Sequence, residues 1–62
     1  MKFFYAGKLV RTSKTHDYNF GVLNANGKIV SCSATKEGAE KLAKDYFKWY
    51  KTQCAVVALE KE

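Results

Sequence analysis

The run Asn24-Ala25-Asn26-Gly27 constrains this chain more than any other stretch. Asn tolerates left-handed backbone and Gly has no Cβ to clash, so Asn26-Gly27 suits a turn with positive φ. Tyr18-Asn19-Phe20-Gly21-Val22-Leu23 precedes it and Lys28-Ile29-Val30-Ser31-Cys32 follows, both of strand composition. Two such flanks around an Asn-Gly turn read as a β-hairpin. Alternation places Tyr18, Phe20 and Val22 on one face of the first strand, and Asn19, Gly21 and Leu23 on the other.

A helix is predicted from Thr35 to Lys51. Ala39, Leu42, Ala43, Tyr46, Phe47 and Tyr50 recur at the spacing of one apolar helical face. Thr35 is a natural N-cap, and Glu37 falls in the first turn, where the helix dipole favours an anion. Lys48 and Lys51 fall in the last turn, where it favours cations. Gly38 weakens the first turn. Glu37–Lys41 and Glu40–Lys44 have the spacing of supporting ion pairs.

Two further strands complete the pattern. Phe3 to about Val10 has strand composition, with Gly7 as a candidate bulge. The polar segment Arg11 to Asp17 joins it to the hairpin. Cys54 to Leu59 is an unbroken apolar run of strand length. The expected architecture is therefore α+β in the order β-β-β-α-β. It is one small sheet of three antiparallel strands plus a C-terminal strand, packed on a single amphipathic helix, with residues 1–62 as one domain. Because it follows a helical crossover, the last strand is expected to run parallel to the first or third, and to pair beside the first. The first and last strands are apolar on both faces, whereas one helix covers only one face of a sheet. The second face then calls for a homodimer partner, a target protein, or the chain's own tails wrapped around it.

Size and composition narrow the function. A chain of 62 residues is too short to wall a large cleft around a core of its own. At 47% apolar and 15% aromatic residues, with no Pro, it has enough apolar surface to fold. No apolar run approaches the length of a membrane span, and the N-terminal apolar stretch is too short for a signal-peptide core. The expected compartment is the cytoplasm.

Catalytic chemistry finds little footing. His16, Asp17 and Ser13 crowd into one short loop, with no oxyanion hole and no rigid group to orient the base. Two cysteines and one histidine cannot complete a zinc site within one chain. Cys32 ends the strand before the helix and Cys54 begins the strand after it. The helix should hold them at opposite ends of the sheet, too far apart for a disulfide, as small buried hydrophobes. No two acids form a catalytic pair, and Gly7, Gly21, Gly27 and Gly38 are too scattered for a phosphate loop. The chain is read as no enzyme, with no cofactor, no metal and no small-molecule substrate.

The charge is more informative. With 11 Lys+Arg against 6 Asp+Glu, the net charge is +5. Lys41, Lys44, Lys48 and Lys51 share the helix face opposite the apolar stripe, and Arg11 and Lys14 add charge in the first loop. Such a ridge can track phosphates; a merely solvated lysine face looks the same in sequence. With a single Arg, base-edge reading is not expected. Tyr5, Tyr18 and Phe20 suit either a stacking platform on an open sheet or the core of a small domain. Trp49 falls at the edge of the helical stripe beside Leu42. That place suits an interface anchor or a simple boundary residue.

Tyr18 to Tyr50 is similar to the strand–turn–strand–helix unit of integrase arm-type DNA-binding domains, in its Asn26-Gly27-Lys28 turn and its Thr35-Lys36-Glu37-Gly38-Ala39 helix start. The resemblance implies a three-stranded sheet presented to DNA with a helix packed behind it. Val10 to Ser33 also resembles small phage and prophage accessory proteins of unknown function, which implies a phage-like source.

Two roles follow as expectations. One is a small basic protein that contacts nucleic acid or a nucleoprotein through Lys41, Lys44, Lys48 and Lys51, assisted by Arg11 and Lys14. The other is a protein-interaction module, a homodimer or a modulator of a host enzyme, that uses an open sheet face with Tyr5 or the Trp49 corner.

Overall fold

The computed structural model describes all residues, 1–62. The elements are β1 (Lys2–Tyr5), β2 (Lys8–Thr12), β3 (Phe20–Leu23), β4 (Ile29–Ser33), α1 (Lys36–Tyr50), β5 (Ala55–Ala58) and β6 (Glu60–Lys61). They form one helix and two three-stranded antiparallel sheets, β2-β1-β6 and β4-β3-β5, so the α+β class holds.

The Asn-Gly turn closes the central hairpin. Asn24 Oδ1 accepts from the main-chain N–H of Asn26 at 3.0 Å and of Lys28 at 2.9 Å. Gly27 takes φ +83°, the left-handed conformation that only Gly adopts cheaply. Val22 faces Ser31 and Leu23 faces Ile29, so Val30 is the extra residue of a bulge.

The C-terminal strand departs from expectation. β5 pairs antiparallel with β3, Val22 opposite Val56 and Gly21 opposite Val57. The crossover rule survives in another form. β4 and β5 are both antiparallel to β3, so they run parallel to each other with β3 between them. The helix thus carries the chain from one edge of the sheet to the other, filling the edge of β3 that the hairpin leaves open. After Leu59 the chain moves to the other sheet, where Phe3 faces Lys61 and Phe4 faces Glu60, again antiparallel. Lys2 and Glu62 then exchange two main-chain hydrogen bonds, at 3.2 and 2.9 Å.

The stretch Phe3 to Val10, expected as one strand, is a hairpin. Ala6 and Gly7 both take positive φ, 53° and 78°, and form its two-residue turn. Gly7 is therefore a turn residue. The bulge of this hairpin falls at Val10, which has no partner between the pairs Phe3–Arg11 and Phe4–Leu9.

The helix lies on the sheet face that carries Phe20, Val22, Ser31 and Ser33, and it packs on β3, β4 and β5. Gly21 lies on the opposite face, against Leu59 and Ile29. Only part of that second face is met by the chain itself: Leu59 lies against Gly21, and Tyr5, Leu9 and Val10 of the N-terminal hairpin share an open cleft of about 420 Å³ with Ile29. The buried apolar core is Phe3, Val22, Ala39 and Leu59, with Phe3 edge-on to the Tyr18 ring at 5.3 Å.

Thr35 caps α1, its hydroxyl accepting from Gly38 N–H at 3.1 Å. Lys51 ends the helix in left-handed conformation, its N–H donating to the Phe47 carbonyl at 2.9 Å. The helix of 15 residues is about 22 Å long, whereas the strands beneath it, of four or five residues, reach only about 13–17 Å. Its last turn overruns the sheet. Ala39 is buried and Leu42, Ala43 and Tyr46 are half-buried, but Phe47 and Tyr50, expected on the packed face, are 48% and 65% exposed. Neither Glu37–Lys41 nor Glu40–Lys44 closes; the one ion pair is Lys61–Asp17 at 2.5 Å. Cys32 and Cys54 are free thiols, half-buried rather than fully buried.

Candidate functional site

Lys41, Lys44, Lys48 and Lys51 are all exposed; spacing of three and four residues sets the first three along one side of α1, and Lys51 follows just past the helix end in left-handed backbone. None is held in an ion pair, so each ammonium is free for a ligand. Asp45 lies a turn from Lys41 and beside Lys48, half-buried, and it too stays out of any ion pair.

The overhanging end of the helix adds a second feature. Trp49 is 63% exposed, and Phe47 and Tyr50 accompany it around the last turn. The Trp49 and Tyr50 rings stand at 88° with centroids 6.4 Å apart; Tyr46 and Tyr50 lie 5.6 Å apart. Two small clefts of about 190 Å³ each flank this end and meet at Cys54, one lined by Lys44 and Phe47, the other by Val30, Tyr46 and Tyr50. Phe47 thus shares a cleft with Lys44, whereas Trp49 and Tyr50 stand exposed around the same helix end, Trp49 one turn after Asp45 and Tyr46. Apolar periodicity assigned Phe47 and Tyr50 to the core. The length of the helix against the short strands was the signal that they would protrude.

Arg11 and Lys14 belong elsewhere. Arg11 lies on β2 with its guanidinium 5.1 Å over the Tyr18 ring, and Lys14 lies in the following loop. Both are in the N-terminal layer, whereas α1 packs on the other sheet, so the structure does not join them to the ridge. Tyr5 lines the open cleft, remote in the fold from Trp49. Tyr5, Tyr18 and Phe20 do not assemble into a platform: Tyr18 is engaged by Phe3, by Arg11 and by His16, whose ring stacks on it at 5.7 Å.

The sheet face turned away from the helix, which the integrase resemblance would present to DNA, carries Gly21, Leu23, Ile29, Cys32, Ala55 and Val57 on its strands, with Lys8 and Lys28 only in the cleft beside Ile29. Its third strand, β5, also comes after the helix rather than before it.

His16, Ser13 and Asp17 turn to different partners. His16 Nδ1 meets the Thr15 hydroxyl at 3.1 Å, Ser13 Oγ accepts main-chain N–H groups of Thr15 and His16, and Asp17 pairs with Lys61. The trio is a loop clasp. No three His, Cys, Asp or Glu side chains come together to hold a metal ion. No helix is long and apolar enough to cross a membrane. The chain matches no protein-family model, no curated protein and no solved structure.

Proposed function

We propose that this chain is a non-enzymatic binding protein that holds nucleic acid by its phosphate backbone, through Lys41, Lys44, Lys48 and Lys51. One observation carries the reading: three exposed lysines share one side of a helix and a fourth, Lys51, stands exposed at its end, all free of ion pairs, in a chain of net charge +5. From Lys41 to Lys51 the chain rises about 15 Å, which is about four to five phosphate steps of about 3.4 Å along one strand of a duplex. Arg11 is engaged on Tyr18, which leaves no Arg to read guanine edges. An accessory role in a phage-type nucleoprotein suits this reading, on the resemblance of Val10–Ser33.

The test is binding of labelled nucleic acid, followed by anisotropy across a salt series. Four phosphate contacts give a slope of log K on log salt of up to about −3.6 for duplex and about −2.8 for single strands. Lys44→Glu with Lys48→Glu abolishes binding, and binding unchanged by that pair overturns the reading. The exposed Phe47, Trp49 and Tyr50 favour a second reading, a protein-interaction surface. Its mark is a complex that tolerates salt and is lost with Trp49→Ala.

A further inference from the structure

We infer that the nucleic acid taken by this helix is single-stranded, and that Phe47, Trp49 and Tyr50 receive its bases. The inference rests on the lysine-ridge reading and adds what a ridge alone lacks, a means of telling a single strand from a duplex.

A domain this small needs its aromatics inside, yet three of its nine Phe, Trp and Tyr residues are about half exposed or more at one helix end. Lysines interleave them in the run Tyr46-Phe47-Lys48-Trp49-Tyr50-Lys51, and the half-buried Asp45, one turn before Trp49, is the single acid among Lys41 to Leu59. The surface is therefore both aromatic and positive.

That combination selects among occupants. A second copy would bring its own Lys48 and Lys51 against these, like charge on like. A duplex keeps its base faces stacked inside and offers the rings only phosphates and groove edges. A single strand offers phosphates for Lys44, Lys48 and Lys51 together with free base faces for the rings, the pairing that groove-and-stack binders use. Trp49 and Tyr50 are 63% and 65% exposed, so each keeps open ring surface for a base, although the two meet edge to face and Tyr50 also lies 5.6 Å from Tyr46 at 33°. No side chain of this turn is placed to read base edges as a set, so binding tolerates any sequence and follows stacking strength.

Trp49 is the only tryptophan, so its fluorescence reports the contact directly. The experiment titrates the protein at low salt with a thymidine oligonucleotide of about a dozen nucleotides, a length within the usual single-strand site size, and with a duplex of the same length. Single strand is expected to quench Trp49, and Trp49→Ala to weaken single-strand binding by about 5- to 100-fold. The same substitution should leave duplex binding unchanged, and Trp49→Phe should restore most of the loss. Equal binding of both forms with Trp49 unquenched, still abolished by Lys44→Glu with Lys48→Glu, overturns the stacking inference and leaves the ridge standing. No binding of either form overturns both and assigns the aromatics to a protein partner.

Discussion

The Tyr46 hydroxyl donates a hydrogen bond to the main-chain carbonyl of Val30 at 3.3 Å, joining the helix to the bulge of the central hairpin. Val30 has no partner in the strand register, and the bond gives its carbonyl one. It also marks where the helix stops being covered: Tyr46 is half-buried, whereas Phe47, Trp49 and Tyr50 beyond it are exposed. Tyr46→Phe keeps the ring and removes the donor. Urea unfolding should show a loss of about 0.5–1.5 kcal/mol at unchanged m. No loss would mean that water serves Val30 as well as Tyr46 does.

The Ala6-Gly7 turn holds a stabilising substitution. Ala6 has φ 53°, in the left-handed region, where a Cβ costs about 1–2 kcal/mol. Asn tolerates that region better, and Asn-Gly is the favoured pair for a two-residue hairpin. Ala6→Asn should therefore raise stability by about 0.5–1 kcal/mol, read as a higher denaturation midpoint. An unchanged midpoint would mean that the unfolded chain gains as much as the folded one.

Local chemistry made parts of this fold legible. Asn26-Gly27 marked the hairpin and Thr35 the helix start, because turn and cap depend on a few adjacent residues. The destination of the last strand was not legible. Cys54 to Leu59 has no alternation, and the β3 edge and the β1 edge both accept an apolar strand. The chain uses both, β5 on β3 and residues 60–62 on β1, with Leu59 buried at the step between them. Phe3 to Val10 read as one strand because Ala6 hides a turn that Asn would have announced. For the candidate site, the lysines follow from helical spacing alone. Phe47 and Tyr50 fit the packed stripe by periodicity, and only the reach of the strands beneath them decides that they are uncovered.

Gly38 shows a constraint that propensity misses. A Cβ there would collide with the Ser33 hydroxyl and approach Thr35 Oγ1, the capping oxygen, at 3.0 Å. Gly→Ala within a helix ordinarily gains up to about 1 kcal/mol. Gly38→Ala alone should gain nothing, because the clash and a disturbed cap offset the propensity. In a Ser33→Ala background the nearest obstacle is gone, and the same substitution should stabilise by about 0.5 kcal/mol or more. The coupling between the two sites is the quantity to measure, by a double-mutant cycle in urea. Simple additivity would show that Ser33 turns aside at no cost.

Phe3 and Trp49 should separate fold from function. Phe3 is fully buried between its strand and the Tyr18 ring, while Trp49 is 63% exposed on the overhang. Truncating a buried Phe costs about 3–5 kcal/mol, as much as a core of this size supplies in total. Phe3→Ala should therefore leave no cooperative unfolding transition at 25 °C. Trp49→Ala removes a larger ring, yet its stability should stay within about 0.5 kcal/mol of the parent, as for other surface changes. That difference is what licenses Trp49→Ala as a binding probe, since a folded variant that loses affinity has lost a contact and not its shape. A loss of stability beyond about 1 kcal/mol would show instead that Trp49 packs on the domain in solution. The overhang would then not be a free surface, and the stacking inference would lose its premise.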